Sequence, residues 1–276
     1  MSIDPICYLD GYARLSKLRI APNDLGVLRA YGVFDFMRTF NGKPFMFDEH
    51  AARFLRSAKH LGLTVPFTKK ELAHITDELI RRNGFKETAI KFVITGGPSA
   101  DGLTLMSKPT TYILATPIEH PPKAYYTRGV HIKTYEYQRP LPEIKTVNYA
   151  VSVQQQKALK RAGILELLYV SNGAVLECSS SNIFLVKKNV LITPKGNILE
   201  GTTKACVMKL AKGTYRVHER RVKVSELRTA DEIFVTASNK GVMPVTTLNG
   251  KKVGTGKVGP VAKHLEQLFK EKVGIV

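Results

Sequence analysis

The chain has 276 residues, 43% of them apolar and 24% charged, which is enough for one large domain or two ordinary ones with their own cores. Forty-two Lys and Arg against 23 Asp and Glu give a net charge of +19, so nucleic acid is the first partner to consider. The basic residues are scattered in pairs such as Lys69-Lys70, Arg81-Arg82 and Lys187-Lys188, with no basic tail and no aromatic–glycine RNA-reading motif. A basic solvated surface with an anionic substrate is therefore expected, and a nucleic-acid-binding protein is the remote alternative. No apolar run reaches the length of a membrane span, and the opening MSIDPICYLDGYAR, with Asp4 and Asp10, lacks the apolar core of a secretory signal. Cys7, Cys178 and Cys206 are odd in number and irregularly spaced, which fits a reducing cytoplasm rather than a disulfide framework or a zinc site.

In chain order, Cys7–Gly11 reads as a strand and turn. Val33–Phe47 reads as a hairpin turning at Asn41-Gly42. A helix capped by Asp48 follows, with Ala51, Phe54, Leu55, Ala58 and Leu61 at helical spacing. Thr68 opens a second helix over Lys69–Arg82 that stops at Asn83-Gly84, and TAIKFVITGG and TTYILATPI read as two strands of one sheet. The proline-bearing stretch Ile118–Tyr126 is the predicted hinge. The expected division is a small α/β domain over 1–117, a linker over 118–124 and a larger domain over 125–276. In the larger domain a strand VHIKTYEY, a loop QRPLPEI, a helix after Lys145 and a strand LELLYV come first. Asn172-Gly173 turns the chain into AVLE, and short strands NIFLV and VLITP follow. Then come a helix near Thr203–Lys212, strands near Tyr215–Arg221 and EIFVTAS, a turn at Asn249-Gly250 and a closing helix Pro260–Lys272.

Several motifs are decoys. Gly254-Thr-Gly256-Lys-Val-Gly259 matches G-x-G-x-x-G, but it follows a hairpin and leaves too little chain for a βαβ unit. As a Walker loop it fails, because Val258 follows Lys257 where Ser or Thr is needed. The seven histidines show no metal-ligand spacing, so no metal is expected. No G-x-S-x-G elbow is present.

Other segments carry more chemistry. LEGTTKACVMKLA puts a glycine and two hydroxyls just before a helix, where free N–H groups and the helix dipole suit a phosphate, although Thr is also a routine N-cap. VTASN ends a strand in a second hydroxyl-bearing loop. Lys145, between Ile144 and Val147 in a loop before a helix, is placed for partial desolvation, which lowers an amine's pKa and makes it a nucleophile toward an aldehyde. Glu177 lies among Ala174, Val175, Leu176 and Cys178, where a carboxylate needs a cationic partner. That partner is an arginine, a helix N–H or a protonated ring nitrogen.

Together, YGVFDFMRTFNGKPFMFDEHAARFLRSAKHLGL, IKTVNY, GAVLECSSSNIFLV, LEGTTKACVMKLA and ADEIFVTASNKGVMPV resemble, in order, the class IV (fold type IV) pyridoxal-phosphate aminotransferases. The family includes D-amino-acid and branched-chain aminotransferases and aminodeoxychorismate lyase. The resemblance implies an α/β (α+β) enzyme of two domains, a small α/β domain and a larger cofactor domain with a β-barrel-like core. It implies that Lys145 is the Schiff-base lysine and proton shuttle, and that Glu177 pairs with the pyridine nitrogen. Arg53, Thr202, Thr203 and Ser238 would hold the phosphate, and Tyr149 would touch the ring hydroxyl. It also implies a homodimer. Two departures stand out: Lys204 where many members carry arginine, and SSSN (Ser179–Asn182) in place of a glycine-containing turn.

The substrates are then an amino acid and a 2-oxo acid such as pyruvate or 2-oxoglutarate. Arg29 and Lys91 are the expected carboxylate-binding residues. The short chain and the Lys145–Tyr149 spacing lean toward D-amino acids, whereas Phe34, Phe36 and Met37 would also suit branched-chain L-amino acids. Cleavage by a lyase of the same family is the next alternative.

Overall fold

A computed structural model describes residues 3–106 and 108–275. The chain divides into two compact units, Met1–Glu119 with Ile144–Tyr149, and His120–Glu143 with Ala150–Val276. The Lys145 segment thus clusters with the first unit, not with the larger domain in which the sequence placed it. The reason is pairing: Phe34 N donates to Lys145 O at 2.9 Å, Val147 N donates to Gly32 O at 3.0 Å, and Ile144 is buried in the first unit's core.

The first unit begins with the hairpin β1 (Ile6–Tyr8) and β2 (Tyr12–Arg14), then the short α1 (Leu25–Arg29), which the sequence pattern did not reveal. Strand β3 (Gly32–Phe40) meets the two-residue β4 (Lys43–Pro44) across Asn41 and Gly42, both at positive φ as the Asn-Gly signal requires. Helices α2 (Phe47–His60) and α3 (Lys69–Asn83) follow, then β5 (Thr88–Thr95) and β6 (Thr110–Pro117). The expected wide hairpin over Val33–Phe47 is narrower because β3 spends its length on β5, in register from Gly32↔Thr95 to Arg38↔Ala89. Asp48 does not cap α2; the helix starts one residue earlier, after Met46 in a left-handed conformation, and Asp48 bridges to Lys69 at 2.8 Å. Thr68 does cap α3, in a reciprocal box with Glu71. The six strands order as β2-β1-β6-β5-β3-β4, and one sheet face packs Val33, Met37, Ile90 and Phe92 against Phe54 and Ala58 of α2.

The second unit opens with α4 (Lys123–Thr127), so the stretch read as linker is partly helical. Strand β7 (Val130–Glu136), helix α5 (Ala150–Arg161) and parallel β8 (Glu166–Ser171) come next, then β9 (Ala174–Cys178), β10 (Asn182–Lys187) and β11 (Val190–Pro194). Helix α6 (Thr202–Ala211) leads to β12 (Arg216–Arg220), β13 (Val222–Lys223), β14 (Glu232–Ala237), β15 (Gly241–Leu248), β16 (Lys251–Lys252) and α7 (Pro260–Lys272). The path β12-β11-β10-β14-β15-β7-β8-β9-β13, with β16 on β15, curls into a nearly closed barrel-like sheet. Its filling is aliphatic, including Ile132, Leu168, Ile183, Ile233 and Val235. The G-x-G-x-x-G segment is the loop between β16 and α7. A side chain at Gly259 would collide with Glu232, whose carboxylate accepts from Val261 N and Ala262 N and caps α7. No described helix is long and apolar enough to cross a membrane.

Candidate active site

In the first unit, β3 separates two chemistries because successive residues point to opposite faces. Toward α2, buried Asp35 accepts from Arg53 through Nε at 2.7 Å and Nη2 at 2.8 Å, and its Oδ1 lies 2.7 Å from His50 Nδ1. Burial alone would push the Asp35 carboxyl up, but Arg53, together with the His50 hydrogen bond, holds it well below the usual carboxylate range. Arg53 is thus oriented by a bidentate fork, a geometry lysine could not copy.

On the opposite face, Phe34 gathers three of the predicted residues. Lys145 Nζ sits 4.7 Å from its ring centre, Lys91 Nζ 5.7 Å, and the Tyr149 ring 5.7 Å at a steep angle. Lys91 lies on β5 opposite Phe36, half-buried. Burial first, and then the charge of Lys145, lower its pKa. Met37 lies on the other face and is 1% exposed among the α2 contacts, so it belongs to the core. Arg29 ends α1, exposed beside Gly102, and its guanidinium donates to Leu28 O; the structure does not bring it to Lys91 or Phe34.

In the second unit, β9 buries Glu177, and the partner the sequence could not name is Arg139. Arg139 Nε and Nη2 both lie 2.8 Å from Glu177 Oε1, while Leu199 N donates to Oε2 at 3.0 Å. Two residues along, at the β9–β10 turn, a second network has no counterpart in the sequence reading. Glu166 accepts from Ser180 N at 2.9 Å and from Ser181 Oγ at 2.6 Å, and Lys240 Nζ bridges to Ser180 Oγ at 2.7 Å. Burial pushes the Glu166 carboxyl up, but Lys240 and the serine donors leave it lowered on balance. The only hint in sequence was a carboxylate opening an apolar strand, Glu166-Leu-Leu-Tyr-Val.

Thr202 and Thr203 are buried at the start of α6, whose N-cap is Gly201. A side chain at Gly201 would strike the Asn182 carboxamide, which donates to Leu199 O at 2.8 Å, so only glycine fits there. Thr236, opposite Asn182 on β14, has a buried hydroxyl without a hydrogen-bond partner among the described residues. Ser238 follows β14 directly, in the turn closed by Lys240 N donating to Ala237 O at 3.0 Å. Lys204 points elsewhere, into Glu219 at 2.8 Å and Glu200 at 3.0 Å. Among the described residues no cluster of His, Cys, Asp and Glu could hold a metal.

In the second unit, helix-start N–H groups, the Thr202, Thr203 and Ser238 hydroxyls and the Thr236 hydroxyl, which has no partner among the described residues, form a set of donors of the kind a phosphate takes; in the first unit, the Lys145 amine over the Phe34 ring is a nucleophile of the kind a carbonyl takes. The amino-transferase class IV family matches residues 32–248. A "Putative branched-chain-amino-acid aminotransferase" of Methanocaldococcus jannaschii is 33% identical over 276 residues, covering 96% of this chain and 95% of that one. A D-alanine aminotransferase of Bacillus licheniformis is 30% identical, with 94% and 93% covered. A solved T.th. branched-chain amino acid aminotransferase with pyridoxamine 5'-phosphate superposes with a TM-score of 0.91 at 25% identity, over 100% of this chain and 96% of that one. The chain belongs to the class IV aminotransferases. It is a pyridoxal-phosphate-dependent transaminase with the fold type IV architecture.

Proposed function

We propose that this enzyme moves an amino group from a D-amino acid to a 2-oxo acid such as pyruvate or 2-oxoglutarate, acting as a homodimer in the cytoplasm. The D-preference in this reading rests on the short chain and the Lys145–Tyr149 spacing; the observation that carries a carboxylate-bearing substrate is Lys91. It is a half-buried cation, beside the Lys145 amine, and no described carboxylate lies within ion-pair reach of it. A substrate carboxylate would relieve both its burial and its repulsion from Lys145. Arg29 is the second carboxylate-binding residue in this reading.

When bound, the cofactor supplies an electron sink for the charge released at the substrate's Cα. Lys145 would carry it covalently and move the proton at that carbon. Glu177 would hold the proton at the ring nitrogen. Arg53, Thr202, Thr203 and Ser238 would bind the phosphate, with Arg53 oriented for it by Asp35. Tyr149 would orient the ring hydroxyl.

Branched-chain L-amino acids are the second reading, favoured by the relative at 33% identity. Of the three apolar residues suggesting it, Met37 faces the core, which leaves Phe34 and Phe36. The test is a donor panel of D-alanine, D-glutamate and L-leucine against pyruvate and 2-oxoglutarate. Turnover with the D-donors exceeding that with L-leucine is expected, and the reverse order overturns the reading.

A further inference from the structure

Arg139 is the residue whose position asks for more than structural support. Its side chain is 9% exposed and that of Glu177 7%, so the pair is largely withdrawn from water. The same Nη2 that meets Glu177 also donates to Pro142 O at 2.6 Å. Between these two anchor points Leu141 takes the left-handed conformation, φ 50°, which a side chain of that size adopts only under constraint. Arg139 therefore fixes its own loop and the carboxylate together.

The chemical consequence follows from where a proton rests. A buried carboxyl left without a cation takes up a proton, because the charged form has lost its water. Opposite a ring nitrogen, a neutral carboxyl offers a hydrogen bond but no countercharge, and the nitrogen then has no reason to stay cationic. A buried arginine on the far side of the carboxyl reverses this. Its positive charge, 2.8 Å from Oε1, favours the ionised form of Glu177 and leaves the proton for the nitrogen.

We propose that Arg139 is a positioning residue that keeps Glu177 a carboxylate and so keeps the cofactor's pyridine nitrogen protonated. The proposal rests on the reading of Glu177 as the partner of that nitrogen. Its reach is the strength of the electron sink, since a neutral pyridine withdraws far less charge from Cα than a pyridinium. An arginine with a merely structural role would affect folding without moving this proton.

The experiment loads the enzyme with pyridoxal phosphate labelled with nitrogen-15 in the ring and records the nitrogen resonance of the holoenzyme. Wild type is expected at the pyridinium position. Arg139→Gln keeps a donor for Pro142 O and removes the charge; Arg139→Met removes both, and each is expected at the neutral-pyridine position. Arg139→Lys, which restores a charge, is expected to return toward pyridinium. If the methionine variant does not fold, the glutamine variant carries the comparison. Glu177→Gln is the arm that separates the two readings, and a neutral nitrogen is expected there too. A pyridinium signal in Arg139→Gln beside a neutral one in Glu177→Gln overturns the role of Arg139 alone. A pyridinium signal in Glu177→Gln overturns the reading of Glu177, and the proposal with it.

Discussion

On one face of β3, Asp35 takes the full fork of Arg53 and a contact from His50; on the other, Phe34 lies under the amines of Lys91 and Lys145. The first face brings opposite charges together in a nearly closed set. The second crowds like charges against an aromatic ring, with no acid within ion-pair reach of Lys91 among the described residues. Folding alone would favour the first arrangement everywhere, since an uncompensated buried cation opposes burial. A strand that satisfies one side and leaves the other short of negative charge marks where substrate is expected. Lys204 in the second unit makes the same point: it is 1% exposed and closed off by Glu219 and Glu200, and it has no chemistry left to do.

The contrast can be broken in graded ways. On the role proposed for it, Lys145→Ala should lower kcat roughly 10⁴-fold in the amino-transfer assay, with the protein still folded, because nucleophile and proton carrier would be lost together. Asp35→Asn should lower stability by about 3 kcal/mol in urea unfolding, because it leaves the buried Arg53 charge without its countercharge. The sign with pH follows from its lowered pKa. The wild-type contribution is fully present above the ordinary value of 3.8 and is lost as pH falls below it, so the variant lacks that part of the acid loss. Lys204→Met should cost about 1–3 kcal/mol and leave KM unchanged; its partners Glu200 and Glu219 are 66% and 29% exposed and can return to water. Lys91→Met should raise the KM for the 2-oxo acid about tenfold, equivalent to about 1.4 kcal/mol. The same variant should be more stable than wild type near neutral pH. Because the Lys91 pKa is lowered, wild type recovers as pH rises from that lowered value toward 10.5, and the gap closes. A Lys91→Met enzyme that is less stable and binds substrate normally would erase the contrast between the two faces.

Much of this was legible because it was local. Asn41-Gly42, Thr68 at the head of α3 and the glycine before Thr202-Thr203 are signals written within a few residues, and each structure formed as its chemistry dictates. Lys145 and Glu177 stood out because each is an ionisable group among apolar neighbours. Arg139 did not: that Glu177 needs a cation follows from the sequence, but the choice among many arginines depends on a loop 38 positions away closing onto β9. Asp35 and Glu166 were hidden for the same reason, since their partners come from other elements. Met37 shows the converse failure. Alternation on β3 assigns it a face, but only the packing of α2 says which face is the core.

The two units are not joined at a single seam. The chain leaves the first unit after Glu119, re-enters it at Ile144 and leaves again after Tyr149. A cut at the first crossing would yield an amino-terminal fragment without Lys145, and the carboxy-terminal remainder would carry Lys145 without the β3 edge that pins it. An exchanged piece therefore brings its lysine and its β3 edge from different parents unless the crossover falls outside both. For recombination, natural or designed, the span Gly32–Tyr149 is inherited most safely as one block.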